Sequence, residues 1–110
     1  MIPQDNIKDF ATAAFRYYGH VTADNIITAD ELTVILAVSL TIHHLRIDND
    51  FIALEGIKRT YYILPLGNLK RGVMSDYVRR AAYEMNVSES VLWSKLRRAR
   101  TVFNQYYSLL

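Results

Sequence analysis

The chain has 110 residues and 51% of them are hydrophobic, enough for one compact domain with its own core and too few for two. It contains no cysteine, which excludes a disulfide framework and a cysteine-ligated zinc site. The formal net charge of +2 conceals a division: residues 1–55 carry three basic side chains against eight acidic ones, net −5, and residues 56–110 carry ten against three, net +7.

The start, MIPQDNIKDF, is polar and lacks the basic-then-apolar order of a signal peptide. No apolar run approaches the roughly 20 residues of a membrane span, so the expected location is cytoplasmic and a membrane is not an expected partner. Between Gln4 and Tyr18, a stripe of Ile7, Phe10, Ala11, Ala14, Phe15 and Tyr18 predicts an amphipathic helix ended by Gly19. His20 to Ile27 reads as a connector. Thr28 and Glu31 then have capping-box spacing at the start of a second helix running to about Leu45. Its middle, LTVILAVSLTIHHL, is apolar on most sides and predicts a central helix contacted by several others.

Asp48, Asn49 and Asp50 form a polar break, after which Phe51 to Leu64 predicts a third helix with Leu54, Ile57, Tyr61 and Leu64 inward and Gly56 as a weak point. Pro65, Gly67 and Asn68 mark a loop. A fourth helix follows over Leu69 to Met85, or from Val73 if Gly72 interrupts it, and a fifth from Ser88 to about Tyr107. The predicted fold class is all-α, a single domain over 1–110 of about five helices, with a helix-turn-helix at about 73–103.

That last motif carries the functional reading. Val78, Ala81, Ala82 and Met85 make one apolar stripe, and the small Ala81 and Ala82 let two helices cross closely. Asn86 tolerates the left-handed conformation that ends a helix, Val87 plugs the corner, and Ser88 caps the next helix with Glu89 in its first turn. Leu92, Leu96, Ala99 and Phe103 then point inward, leaving Ser90, Val91, Ser94, Arg97, Arg98 and Thr101 outward. A major groove about 12 Å wide admits such a helix. The expected partner is double-stranded DNA, held by Ser88, Ser90, Val91, Ser94, Lys95, Arg97, Arg98 and Arg100 of the fifth helix with Arg79 and Arg80 of the fourth.

Catalytic and metal chemistry are not expected. His43 and His44 are neighbours on one helix, about 100° apart, and cannot grip one ion together. Asp30, Glu31, Asp48 and Asp50 stand at helix starts, where carboxylates cap backbone amides. No glycine-rich phosphate loop is present, so no enzyme and no cofactor is predicted.

Four stretches, Thr41-Ile-His-His-Leu-Arg-Ile47, Gly56 before a tyrosine-rich segment, Ala82-Tyr-Glu-Met-Asn86, and Ser90-Val-Leu-Trp-Ser-Lys-Leu-Arg-Arg-Ala99, resemble the DNA-binding effector domains of the stage-zero sporulation protein A family. The resemblance spans roughly Thr28 to Phe103. It implies an all-helical domain that binds promoter DNA through a helix-turn-helix and meets RNA polymerase through other helices. Val91, Trp93 and Ser94 stand where that family's recognition helix carries charged, base-reading side chains.

The competing reading is a helical interaction or adaptor module that does not bind DNA. Trp93 and the tail residues Tyr106, Tyr107, Leu109 and Leu110 supply aromatic and apolar surface of the kind interfaces favour. The same tail is the expected contact of a homodimer, and dimers of helix-turn-helix proteins read paired half-sites.

Overall fold

The computed structural model describes residues 10–21 and 28–110, and among these the fold is all-helical with no strand. The element order is α1 (Phe10–His20), α2 (Ala29–Ile47), α3 (Phe51–Arg59), a single 3-10 turn (Tyr61–Ile63), α4 (Val73–Met85) and α5 (Glu89–Leu109). Ile7 of the first predicted stripe and residues 22–27 of the predicted connector lie outside the described residues.

The polar breaks act as capping chemistry. Thr28 accepts a hydrogen bond from the Glu31 amide and starts α2, Asp50 does the same for Ala53 at α3, and Ser88 for Val91 at α5. The Glu31 carboxylate accepts the Tyr17 hydroxyl. Burial together with that bond pushes the Tyr17 hydroxyl up to about 12. Asn49 and Asn86 adopt positive φ, 56° and 57°, just beyond α2 and α4. In each case the next residue's amide bonds back five residues, Asp50 to Leu45 and Val87 to Ala82, which satisfies carbonyls the helix end leaves open.

One core collects the buried faces. It joins Ala14 and Phe15 of α1, Val34, Val38 and Leu45 of α2, Ala53 and Ile57 of α3, Tyr61 and Leu64, Val78 and Ala82 of α4, and Leu92, Leu96, Ala99 and Phe103 of α5. Phe15 stacks on Tyr61 with centroids 5.4 Å apart. The helix in contact with α1, α2, α3 and α4 alike is α5. The apolar middle of α2 does not translate into burial on every side: Val34, Ala37, Val38, Thr41 and Leu45 are buried, whereas Leu32 and Leu36 are about half exposed. It is α1 that is enclosed all round, from Ala11 to Tyr17.

Within that enclosed run, Arg16 is fully buried and its guanidinium donates to the carbonyls of Pro65 and Gly67, at 2.6 Å for the latter. The loop after the 3-10 turn is thereby tied to α1. His20 adds a hydrogen bond to the carbonyl of Leu64 at 2.8 Å.

Two glycines record close approaches. Gly19 does not end α1, which continues to His20; a Cβ there would lie 2.5 Å from Cα and 2.7 Å from the carbonyl oxygen of Tyr62. Gly56 is buried inside α3, where a Cβ would lie 2.6 Å from Cδ1 of Leu92 on α5. The third predicted helix is shorter than expected. It stops at Arg59, Thr60 donates its hydroxyl to the Gly56 carbonyl at 2.7 Å, and the chain tightens into the 3-10 turn that brings Tyr61 and Leu64 inward.

Gly19→Ala tests the closer contact. Helix propensity alone favours alanine by about 1 kcal/mol, but the obstacle at Gly19 is backbone, which cannot swing aside. The expected net effect is a loss of about 1–3 kcal/mol in urea unfolding, and an equal or higher midpoint would contradict the packing described here.

Candidate nucleic-acid interface

The α4–turn–α5 segment begins with Val78, Ala81 and Ala82 buried against the core and Met85 and Val87 partly buried beside them. Asn86 turns the chain, Ser88 caps α5, and α5 then buries Leu92, Leu96, Ala99, Val102 and Phe103. With that stripe fixed, helical geometry sends Ser90, Val91, Ser94, Arg97 and Thr101 to solvent, and all five are exposed. On α4 the exposed cations are Arg79 and Arg80. Arg79 meets Asp76 at 3.2 Å and Glu89 at 4.0 Å, both solvent-exposed pairs, and Arg80 lies over the Tyr77 ring at 5.6 Å.

The other cations assigned to this face are engaged within the molecule. Arg98, expected outward, is half-buried: one guanidinium nitrogen meets Asp50 and the other meets Asp48 at 2.5 Å. Lys95 reaches the same Asp50 carboxylate at 3.2 Å. Arg100 donates to the Tyr61 hydroxyl at 2.8 Å. The reason is the position of the α2–α3 turn, which lies against the flank of α5 and presents two carboxylates to it. Sequence reading identifies Asp48 and Asp50 only as helix-start residues. The signal that points further is the opposite charge of the two halves, which must meet somewhere in a single domain.

Asp50 is the hub of this cluster. Its side chain is 5% exposed, so burial pushes its carboxyl up, but hydrogen bonds from Arg98, the Ala53 amide and Lys95 outweigh burial and hold it below the ordinary aspartate value. The same two carboxylates hold the Arg98 guanidinium firmly charged.

The residues assigned to a partner surface also divide. Trp93 is partly buried and packs against the core. Tyr106 hydrogen-bonds to His44 Nδ1 at 2.9 Å, and Tyr107 stacks on Phe103 with centroids 5.5 Å apart and contacts Phe10. Both tyrosines thus find partners inside the subunit, because α5 runs unbroken to Leu109 alongside α1 and α2. Leu109, 81% exposed, and Leu110 remain open. Among the described residues no group of three potential ligands could hold a metal, and no helix is long and apolar enough to cross a membrane.

No family model, curated protein or solved structure matches the chain.

The Asp50 cluster makes a pH prediction. A carboxyl whose folded pKa is depressed contributes its full stabilisation at neutral pH and loses it as pH falls through the aspartate range, near 3.9 in the unfolded chain, toward the lower folded value. Asp50→Asn is expected to lower stability by about 1–3 kcal/mol at pH near 7, and the gap to wild type should close on acidification below roughly pH 4. A gap that is constant across this range would mean that Asp50 acts only as a neutral cap.

Proposed function

We propose that the protein is a DNA-binding transcriptional regulator that lays the first turns of α5 into the major groove, with α4 and α5 forming a helix-turn-helix over about residues 73–103. The observation that carries this reading is the exposed face of Ser90, Val91, Ser94 and Arg97, raised from a core-packed helix directly after a capped turn. Ser90 and Ser94 suit hydrogen bonds to base edges, and Val91 suits a thymine methyl. Arg97, Arg79 and Arg80 are the cations that phosphates would meet; all three are exposed, and the ion pairs of Arg79 with Asp76 and Glu89 are solvent-exposed and cost little to exchange.

The relation to sporulation-regulator effector domains belongs to the same proposal. With Val91, Trp93 and Ser94 in place of charged side chains, the base sequence read would differ from that family's. Lys95 and Arg98 contribute to the shape of the site through Asp50 and Asp48 rather than by contacting phosphate.

Binding to a duplex across a salt series tests the proposal. Each phosphate contact should contribute roughly −0.9 to the slope of log K against log salt, so Arg79→Ala and Arg97→Ala should each weaken binding and flatten the slope by about one contact. Neither should shift the melting temperature appreciably, since exposed residues seldom contribute more than about 0.5 kcal/mol. Arg98→Ala should instead act mainly on stability. An isotherm unchanged between roughly 50 and 200 mM salt would overturn DNA binding.

A second reading, association through an apolar surface, is favoured by one observation: Leu109 is 81% exposed, and Leu32 and Leu36 are near half. Sedimentation at micromolar concentration should give a dimer for the wild-type chain and a monomer for Leu109→Lys. A monomeric wild type would refute homodimerisation and leave DNA binding as it stands.

A further inference from the structure

On the side of the domain formed by α1, α2, α3 and the 3-10 turn, a cavity of about 210 Å³ is lined by Tyr18, Ile42, Arg46, Leu54, Lys58 and Tyr62. Its chemistry is of two kinds. Ile42, Leu54 and the rings of Tyr18 and Tyr62, whose centroids lie 5.6 Å apart, are the partly buried, apolar part. Arg46 and Lys58 are exposed, and among the described residues neither is in an ion pair. That sets them apart from Arg59, Arg79, Lys95 and Arg98, each of which meets a carboxylate.

A site so built selects its ligand by size, shape and charge. Pockets for drug-sized ligands measure roughly 300–1,000 Å³, so this cavity takes a smaller body, one ring or a short alkyl chain. An apolar, aromatic lining favours such a body over water. Two cations that no carboxylate among the described residues pairs with favour an anionic head, and the planar fork of a guanidinium matches a carboxylate in particular. Burial and the neighbouring Tyr18 push the Tyr62 hydroxyl well above its ordinary value, so at neutral pH it remains a protonated hydrogen-bond donor.

We propose that this cavity is a binding site for a small organic monocarboxylate whose ring or short alkyl chain lies between Tyr18, Tyr62, Ile42 and Leu54 and whose carboxylate is held by Arg46 and Lys58. The site is separate from the exposed face of α5. Leu54, which lines the cavity, and Gly56, which packs on Leu92, lie about 200° apart around α3. A bound carboxylate would therefore sit one helix away from α5, where an effector of the protein would be placed.

Titrations followed by the NMR signals of the Tyr18 and Tyr62 rings decide the matter, with benzoate, 3-phenylpropionate and octanoate as probes and 3-phenylpropanol as the uncharged control. At least one carboxylate should shift both rings saturably at or below about 10 mM, and 3-phenylpropanol should bind about tenfold more weakly than 3-phenylpropionate or not at all. The Arg46→Gln, Lys58→Gln double variant, altered only at exposed positions, should keep the wild-type melting temperature and lose about tenfold in carboxylate affinity. The proposal is overturned if no carboxylate gives a saturable shift, if acid and alcohol bind alike, or if the double variant binds as wild type. None of these readouts depends on DNA.

Discussion

Burial of Leu92, Leu96, Ala99 and Phe103 along one side of α5 is the contact on which the fold converges, since α1, α2, α3 and α4 all rest on that helix. Deleting a buried leucine side chain costs about 2–5 kcal/mol in a well-packed core, a large fraction of the stability of a small domain. The same stripe fixes the rotation of α5 about its axis. Which positions face solvent is therefore decided by what the core requires, and the direction in which Ser90, Ser94 and Arg97 leave the helix is set by the burial of Leu92 and Leu96. A recognition surface on such a helix gains its precision from the core behind it.

Much of the fold is legible in the sequence because its signals are local. Thr28, Asp50 and Ser88 mark helix starts by residue type, Asn86 marks an end, and the period of Leu92, Leu96, Ala99 and Phe103 gives the buried side of α5. What escapes is set by contacts between segments distant in the chain. Gly19 reads as a terminator, yet its role is to admit the Tyr62 backbone. The stripe of α1 suggests one buried side, but from Ala11 to Tyr17 the helix is buried all round. Gly56 weakens a helix on paper, and only the nearness of Leu92 explains its place.

The candidate interface divides along the same line. Exposure of Ser90, Val91, Ser94 and Arg97 follows from helical period alone. The engagement of Lys95 and Arg98 by Asp50 and Asp48, some 45 to 50 residues earlier, does not. A count of positive charge in the C-terminal half overstates what is open to an anionic partner, because part of it neutralises the acidic N-terminal half. Buried or half-buried pairs of this kind contribute little net stability when compared with apolar replacements, but losing one partner is costly. Their effect is to hold the α2–α3 turn in register against α5.

Arg16 has a different kind of consequence. Its two acceptors in the loop after the 3-10 turn are main-chain carbonyls, of Pro65 and Gly67. Every amino acid supplies a carbonyl, so the anchor recognises the path of the loop and is indifferent to the side chains along it. Substitutions among the exposed residues Leu66, Gly67 and Asn68 that preserve this path leave the anchor intact, whereas an inserted residue would carry one carbonyl out of reach of the guanidinium. The segment is thus tolerant of changes in composition, as surface loops usually are, but intolerant of changes in length, which they usually accept.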